Sequence, residues 1–415
     1  MANGLRVVLE DVPAVRSVSM GIWVGTGSRD ERPEQSGISH LLEHMFFKGT
    51  KTMTARQLAE VFDGIGGQIN AFTAKEYTCY HAKVLDEHTD IALTTLAEML
   101  FTSLMDEAEL EREKGVVMEE ITMYEDNPEE SVHDLIVEQS FAGHPLGANI
   151  LGTRESLEMI DRGQLMTYIE ERYTPSNMVI SVAGHIDASA VLRRIEELFG
   201  QFSRTPRTYV TGAPSFCTSQ LFRAKPVEQA HVCLALPGYA YEHPHTYGMI
   251  LLNNILGASS SSRLFQEIRE NRGMAYSVFT YHSAFRDTGL FAIYFGANPN
   301  QAQSVLDVIE EMVQEWIAQG ITAEELQKAK NQVKGSLILS LENTSSRMSR
   351  IAKNELLLQR QVDLDEMINE VERVTVHSQH DLIRELFQGP FTFVGLGPDS
   401  APLQYSSDLP RSEDR

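Results

Sequence analysis

Two imidazoles and one carboxylate stand at helical spacing in the segment 40–44, which reads HLLEH. On an α-helix, positions i, i+3 and i+4 share one face, so the side chains of His40, Glu43 and His44 project in the same direction. Two histidines at i and i+4 can bind one Zn²⁺ through ring nitrogens, and the glutamate between them then lies beside the metal. The segment therefore predicts a zinc site at which Glu43 activates a water for hydrolysis.

The alternative is a helix face that carries these polar side chains without holding a metal. A chance HxxEH pattern in a chain with 13 histidines has a probability of roughly a few per cent. The rest of the helix is apolar and includes Leu41, Leu42 and Met45. Polar groups buried beside such residues need a partner, and we therefore favour the metal site.

A third ligand must come from elsewhere, because catalytic zinc usually takes three protein ligands and leaves the fourth position to water. Glu113 and Glu120 stand seven residues apart in a predicted helix, so their carboxylates lie on one face. We expect Glu120 to bind the metal and Glu113 to orient a ligand or the water from behind. Glu119 would project about 100° away, but spacing alone leaves the choice between Glu119 and Glu120 open.

These residues must be positioned by the strands and helices of the first half of the chain. Val-rich segments that alternate in polarity are typical of strands, and the glycine pair at 66–67 indicates a turn before two more strands. The continuous apolar segment NMVISVAG at 177–184 indicates a buried strand. Strands are predicted at 5–10, 17–25, 67–73, 76–84 and 177–184, and helices at 37–47, 54–63, 86–103, 106–125, 130–141, 154–171 and 187–199.

The second half repeats this order of elements. Residues 107–120 can be laid over 323–336 without a gap, and PFTFVGLG at 390–397 resembles the strand at 177–184. We therefore predict an α+β fold of two homologous α/β-sandwich-like domains related by internal duplication, each with a mixed, mainly antiparallel sheet and helices on one side. Strands of this half are predicted at 230–237, 275–283, 289–296 and 390–397, and helices at 245–256, 261–272, 300–317, 321–340 and 342–358.

The segment 203–215, SRTPRTYVTGAPS, is rich in Pro, Ser, Thr and Gly and has no helical or strand period. We interpret it as a linker between domains. A chain of 415 residues also exceeds what one hydrophobic core usually supports. The predicted organisation is a catalytic zinc-binding domain at 1–202, the linker at 203–215, a second, metal-free domain at 216–405 and a polar tail at 406–415.

The second half lacks the residues that would bind a metal. Under the overlay, Ser336 takes the place of Glu120, and Ala329 takes the place of Glu113. The helix TYGMILLNNILG, which follows Pro244, takes the place of the HLLEH helix and contains neither His nor Glu. We therefore expect the chemistry in the first half and a different role for the second.

The chain is acidic, with 35 basic and 58 acidic residues and a formal net charge of −23. This balance argues against nucleic acid or an anionic membrane as a partner, because both attract basic surfaces. The segment 106–138 contains thirteen acidic and two basic residues. It is either a pair of solvated helix faces or an acidic field that attracts basic peptides.

Cysteine usage and the absence of targeting patterns indicate a compartment. Cys79, Cys217 and Cys233 are too few and too scattered for a disulfide framework and suit a reducing environment. The first residues lack the pattern of a signal peptide. No apolar run reaches the ~18 residues that a membrane span needs. We therefore expect a cytoplasmic protein.

With these residues in place, the chain resembles the pitrilysin-type inverzincins, in which HxxEH reverses the order of the HExxH motif. It is most similar to the processing peptidase subgroup, which includes bacterial processing proteases and the catalytic subunit of the mitochondrial processing peptidase. The resemblance covers residues 4–397. Its specific segments are GSRDE (27–31), the HLLEH helix, GGQINAFTAKEYTCY (66–80), the helix with Glu113 and Glu120, and RLFQEIRENRGMAYS (263–277).

The resemblance implies roles for residues in both halves. It implies that His40, His44 and Glu120 bind zinc and that Glu43 is the general base. It also implies that a strand carrying Asn70, Ala71 and Phe72 pairs with the peptide backbone, which suits the capacity of an exposed strand edge to add an extended peptide. In the second half, Arg269 and Tyr276 match a pair that holds the substrate carbonyl, and both side chains can donate to a developing oxyanion.

The function that follows is a zinc-dependent endopeptidase with one Zn²⁺ per chain, whose site the second domain completes. The resemblance also implies a homodimer that encloses a chamber and cleaves short or unfolded peptides, and the acidic segment suggests basic ones. One alternative is a noncatalytic scaffold or chaperone-like subunit of the same fold. Another is a metal-dependent hydrolase of a different kind, such as an amidase, which the peptide-binding strand and the Arg269–Tyr276 pair make less favourable.

Overall fold

Ten strands form two sheets in the computed structural model, which describes residues 1–205, 212–398 and 403. The predicted tail at 406–415 and residues 206–211 of the predicted linker lie outside the described residues. The strands are β1 (Arg6–Asp11), β2 (Ser17–Val24), β3 (Gln68–Thr73), β4 (Thr78–Leu85), β5 (Met178–Gly184), β6 (Gln220–Ala224), β7 (Ala230–Gly238), β8 (Ala275–Ala284), β9 (Gly289–Ala297) and β10 (Thr392–Gly397).

Both sheets have the same topology. The first has the strand order β1-β5-β2-β4-β3, in which β1 and β5 run parallel and the other neighbours run antiparallel. The second has the order β6-β10-β7-β9-β8, again with one parallel pair, β6 and β10. Each strand of the second sheet thus takes the position of its counterpart in the first. The predicted α+β class, its mixed, mainly antiparallel sheets and the internal duplication are confirmed.

The two halves share much of their helix order, since five α-helices lie between β4 and β5 and five between β9 and β10. No helix among the described residues is long and apolar enough to cross a membrane. The helices are α1 (Ile38–Phe46), α2 (Ala55–Gly64), α3 (Thr89–Thr102), α4 (Glu107–Asp126), α5 (Pro128–Ser140), α6 (Arg154–Met159), α7 (Arg162–Arg172), α8 (Ala188–Phe199), α9 (Thr246–Asn253), α10 (Pro299–Gln319), α11 (Ala323–Ser340), α12 (Thr344–Lys353), α13 (Leu364–Arg373) and α14 (Val376–Leu386), with π-helical turns at Asn254–Ala258, Phe265–Asn271 and Asn354–Leu358.

Most predicted elements are present, with differences that have local causes. The helix predicted at 154–171 is two helices, α6 and α7, because Ile160 is extended and Asp161 begins a new helix. The Asp161 carboxylate accepts the N–H of Gln164, and the Gln164 side chain accepts the N–H of Asp161, so the second helix has its own capping box. Strand β6 was not predicted, since it has five residues and no alternation of buried and exposed positions. Helices α13 and α14 were not predicted either.

The compact units do not follow contiguous halves of the chain. The described residues of unit 1 lie within Met1–Thr122, Ala148–Gly212 and Leu339–Val362, and those of unit 2 lie within Met123–Gly147, Ala213–Ile338 and Asp363–Arg415. Each unit therefore takes one segment from the other half of the sequence. The boundaries proposed from the sequence, at 1–202 and 216–405, do not include this exchange.

Helix α12 is the segment that unit 1 takes from the second half. It packs on β2 and β5, where Met348, Ile351 and Ala352 are buried against Trp23. The Trp23 indole N–H donates to Ser181 Oγ at 2.9 Å, so its one polar atom is satisfied inside this contact. In unit 2, α5 makes the equivalent contact on β7 and β10. Helices therefore cover both faces of the sheets, whereas the sequence predicted helices on one side only.

The other face of the first sheet carries the main core of unit 1, on which α1 rests. Leu41, Leu42 and Met45 of α1 are fully buried in this core. They stand at helical spacing, which leaves His40, Glu43 and His44 half-buried. The apolar residues between the polar residues of HLLEH therefore fix the direction in which those polar side chains point.

Candidate active site

The start of α1 is held by the GSRDE segment. Gly37 precedes the helix with φ of 91°, a left-handed conformation that favours glycine, and a Cβ there would lie 2.5 Å from the Leu151 carbonyl oxygen. The buried Glu31 carboxylate accepts the N–H of Gly37 at 2.7 Å and the N–H of Ser39 at 2.8 Å. These are N–H groups that a helix start leaves without a partner. Glu31 thereby fixes the start of α1 through Ser39, the residue that precedes His40.

Three side chains of unit 1 form a group that could hold a metal ion. Ligand atoms of His40, His44 and Glu120 all lie within 4.8 Å of one another. Glu120 Oε2 is 3.7 Å from His40 Nε2 and 3.6 Å from His44 Nε2. The two imidazole rings lie 4.7 Å apart between centroids. Two imidazole nitrogens and one carboxylate oxygen are the donor set of a His₂Glu zinc site.

The surroundings of the two histidine rings suit metal binding. Burial, with a smaller contribution from His44, lowers the pKa of His40 to about 4, so its ring is neutral at neutral pH. The Nδ1 atom of His44 lies 3.1 Å from Glu113 Oε2. A carboxylate can only accept, so Nδ1 is the donor to Glu113, and Nε2 is the ring nitrogen directed at Glu120. Zinc binds a ring nitrogen that carries no proton.

Glu113 lies behind the three candidate ligands. Its side chain is 6% exposed, and its second oxygen accepts from Lys48 Nζ at 2.7 Å. Lys48 therefore offsets the charge of a carboxylate that burial would otherwise disfavour. The chain of contacts Lys48–Glu113–His44 matches the carboxylate–histidine arrangement that orients metal ligands.

Glu113→Gln is expected to weaken zinc binding by about 10- to 100-fold, because His44 loses the charged acceptor that fixes its tautomer. Competition with a chromophoric chelator measures this change. Glu107→Gln, at an exposed position of the same helix, is the control and should bind zinc as the wild type does. Equal affinity in both variants would remove Glu113 from this role.

The structure distinguishes Glu120 from Glu119, a choice that spacing alone left open. Glu120 faces the two histidines, with its side chain 31% exposed. Glu119, its neighbour in α4, is exposed and does not belong to the group. The geometry thus brings Glu120, and not Glu119, to the position expected of the third ligand.

Glu43 lies beside this group without belonging to it. Its Oε2 accepts a hydrogen bond from the Thr73 hydroxyl at 2.6 Å. Burial raises the pKa of the Glu43 carboxyl above its ordinary value, and the hydrogen bond from Thr73 offsets part of that increase. A raised pKa brings a carboxylate closer to the value that suits a general base near neutral pH.

Strand β3 forms an edge of the first sheet and carries Asn70, Ala71 and Phe72. Among the described strands it pairs only with β4. The N–H of Ala71 donates to the side chain of Asn70 at 2.9 Å. That N–H therefore points away from β4, toward the free edge. A cleft of about 520 Å³ lies beside this strand, and its lining includes Glu43, His44, Ile69 and Asn70.

The sequence-predicted residues of the second half lie in unit 2. Arg269 is part of a π-helical turn, and its guanidinium carbon is 4.7 Å from the ring centroids of both Phe265 and Tyr276. Tyr276 is the second residue of β8, and 76% of its surface is accessible. Within the described residues of this unit, no group of histidine, cysteine and carboxylate side chains could hold a metal.

Three contributors to this site were given no role from the sequence: Glu31, Lys48 and Thr73. Glu31 and Thr73 do lie within the segments 27–31 and 66–80 that carry the family resemblance. Lys48 stands four residues after His44, so helical spacing could have indicated it. Glu31 lies six residues before Gly37, across a loop, and Thr73 is on a different element from Glu43. No periodicity could have connected these two with α1.

Glu31→Gln is expected to flatten the pH dependence of stability. Burial raises the pKa of Glu31 to about 8, and hydrogen bonds from Ser39 and Gly37 offset only part of this. The unfolded side chain titrates near ~4.3. Between these values the folded state holds a proton that the unfolded state has released, so the free energy of unfolding falls as pH rises from about 5 to 8.

Urea unfolding of the wild type and the variant over this pH range measures the effect. The wild-type midpoint should fall more steeply with pH than that of Glu31→Gln. Glu34→Gln, which changes an exposed carboxylate nearby, should keep the wild-type slope. Parallel curves for the wild type and Glu31→Gln would contradict the assignment.

Known proteins are similar to this chain in sequence and in fold. Residues 6–154 match the model of the insulinase family (peptidase family M16), and residues 159–333 match that of the peptidase M16 inactive domain. A protein of Bacillus subtilis (strain 168), named as an uncharacterized zinc protease, is 50% identical over 95% of this chain and 97% of its own length. One of Mycobacterium leprae (strain TN), with a similar name, is 39% identical over 96% of this chain and 91% of its own length. The crystal structure of a protease from Helicobacter pylori has the same fold, with a TM-score of 0.88 at 24% identity over 95% of this chain and 97% of that one.

Proposed function

Because the chain belongs to peptidase family M16, we propose that it is a zinc-dependent endopeptidase of the processing-peptidase type. The observation that carries this proposal is the group formed by His40, His44 and Glu120, with Glu43 beside it. The two relatives reported above, which are similar to this chain over most of its length, are named zinc proteases. We propose one Zn²⁺ per chain, bound by these three side chains.

In catalytic sites, zinc polarises a carbonyl oxygen and lowers the pKa of water at its open position to about 7. The Glu43 carboxylate then accepts a proton from the water that attacks the peptide carbonyl. The same side chain donates that proton to the amine that leaves. Glu113 and Lys48 keep His44 in the required tautomer, and the core contacts of α1 hold both histidines in place.

We propose that the peptide binds as an added strand on β3. The free edge of β3 and the outward N–H of Ala71 support this, since an extended chain can supply the acceptor that Asn70 supplies in its absence. Main-chain pairing of this kind requires an extended peptide. Short or unfolded peptides are therefore the expected substrates, rather than folded proteins.

Arg269 and Tyr276 are proposed to bind the substrate carbonyl from the second domain. The family model that covers them describes that domain as inactive, which agrees with a role in binding and not in metal chemistry. Both are donors that can stabilise a developing oxyanion. Tyr276→Phe is expected to lower kcat with zinc retained, and unchanged kinetics would remove the tyrosine from this role.

Two further proposals concern substrates and assembly. Segment 106–138 has thirteen acidic and two basic residues, which favours peptides with Arg or Lys near the scissile bond. Faster cleavage of basic than of neutral analogues, with an advantage that shrinks as salt rises, would support this. We also propose a homodimer. Light scattering that finds an active monomer would contradict it.

The first test is the zinc content of the purified protein together with cleavage of an unstructured basic peptide. We expect about one zinc per chain, loss of cleavage on chelation and recovery when zinc is restored. Zinc without cleavage of any peptide would favour a noncatalytic scaffold of the same fold. A protein that cleaves peptides without zinc would contradict the proposed mechanism.

A further inference from the structure

Thr73 joins the strand proposed to receive the peptide to the proposed general base. It is the last residue of β3, and its hydroxyl donates to Glu43 Oε2 at 2.6 Å. Glu43 belongs to α1, so this hydrogen bond connects the edge strand with the helix that carries the candidate zinc ligands. Among the described residues, Thr73 is the hydrogen-bond donor to this carboxylate.

The main chain of Thr73 faces the free edge of the sheet. The N–H of Ala71 bonds to the side chain of Asn70 and not to β4. The N–H of Ala74 donates across the turn to the Tyr77 carbonyl at 2.8 Å. Residues of an antiparallel pair alternate between bonding across the pair and pointing away from it. Thr73, two residues after Ala71 and one before Ala74, therefore points its N–H and C=O outward.

One residue thus has its peptide groups on the substrate side and its hydroxyl on Glu43. The side chain lies on the α1 face of the sheet, as does Ala71, which is buried in the core below α1. A glutamate side chain has several rotamers, and a hydrogen bond of 2.6 Å selects one of them. Orientation of a reacting group of this kind contributes directly to rate.

We propose that Thr73 is a positioning residue, which holds the Glu43 carboxylate in its working direction while its main chain pairs with the bound peptide. The inference rests on the proposed function and extends it to a residue outside HxxEH. Docking of the peptide and orientation of the base are then coupled through one side chain. A peptide seated on β3 fixes Thr73, and Thr73 fixes Glu43.

Thr73→Val tests the hydroxyl, because valine keeps the branched shape and the strand preference of threonine. We expect kcat to fall by about ten- to a hundredfold, because this factor corresponds to the free energy of a hydrogen bond to a charged group. KM should change by less than about threefold. Thr73→Ser restores the hydroxyl and should return kcat to within about threefold of wild type. In a Glu43→Gln background, Thr73→Val should leave peptide affinity, measured by fluorescence anisotropy, unchanged.

Thr280 offers a matched control in the second sheet. It lies on β8, which takes the edge position there that β3 takes in the first sheet. Its hydroxyl donates to Asn253 Oδ1, in α9, at 2.7 Å. Thr280→Val therefore removes the same kind of contact between an edge strand and a helix, away from HxxEH. Its kcat should equal that of the wild type.

The outcomes separate this inference from the proposed function. A wild-type protein that binds zinc and cleaves no peptide would overturn the proposed function and this inference with it. If the wild type cleaves peptides, equal kcat in Thr73→Val overturns the inference alone. A higher KM with unchanged kcat, or a failure of Thr73→Ser to restore activity, would show that Thr73 only supports the strand and would equally overturn it.

Discussion

Glu43→Gln is expected to leave the zinc content unchanged and to lower kcat by about 10²–10⁴-fold. The amide keeps the size of the side chain, and its oxygen can still accept the Thr73 hydroxyl that lies 2.6 Å from Glu43 Oε2. It cannot take a proton from water near neutral pH, so the base is lost while the arrangement around it is kept. Zinc should stay bound because Glu43 is not one of the three clustered ligands.

Atomic absorption gives the zinc per chain, and a fluorogenic peptide gives kcat for the same samples. Glu87→Gln removes one negative charge at a side chain that is 65% exposed and should match the wild type in both measurements. A Glu43→Gln protein that carries zinc and cleaves at the wild-type rate would exclude Glu43 as the base. Loss of zinc together with activity would instead place Glu43 among the ligands.

The grouping of the candidate site residues of α1 could be predicted because these residues stand at helical spacing. His40, Glu43 and His44 are neighbours on one helix, and the same period that aligns them also buries Leu41 and Leu42 beneath them. Local sequence therefore determined both the direction of the ligands and the surface on which they rest. The internal duplication was predictable for a related reason, since the second half repeats the order of elements of the first.

What could not be predicted depends on contacts between residues far apart in the chain. Glu113 reaches His44 across 69 positions, and Thr73 reaches Glu43 across 30. The exchange of α5 and α12 between the two units is of the same kind. Trp23 and Met348 are 325 positions apart, and the sequence around neither residue predicts that the two are in contact. Periodicity identifies a buried face, but it does not say which element covers that face.

The buried polar side chains of the GSRDE segment show that a conspicuous motif can have a structural role. Arg29 Nη1 lies 2.7 Å from Glu76 Oε1, and both side chains are almost completely buried. Glu31 takes two N–H groups at the start of α1. Through these two hydrogen bonds, Glu31 acts on the candidate ligands by fixing the position of α1. Charged residues in a short motif near α1 can therefore serve to position the helix that carries the candidate ligands, and not only to take part in the chemistry.

Glu120→Gln and Glu119→Gln form the sharpest pair of tests for the metal site. The two substitutions remove the same charge from adjacent positions of α4, so their effects on net charge and helix preference are matched. Glu120 Oε2 lies 3.6 Å from His44 Nε2 and 3.7 Å from His40 Nε2, whereas Glu119 is exposed. We expect Glu120→Gln to weaken zinc binding by more than about 100-fold, beyond the range for a residue behind the ligands.

Glu119→Gln should bind zinc and cleave peptide as the wild type does, because exposed substitutions usually change stability by less than about 0.5 kcal/mol. Titration of the zinc-free proteins against a competing chelator measures both affinities on one scale. If the two variants lose zinc to the same extent, the loss comes from the charge of α4 and not from a ligand. If only Glu119→Gln loses it, α4 is rotated by about 100° from the position described above. Loss in Glu120→Gln alone would support direct contact between the Glu120 carboxylate and the ion, because the two variants are matched in charge and helix preference.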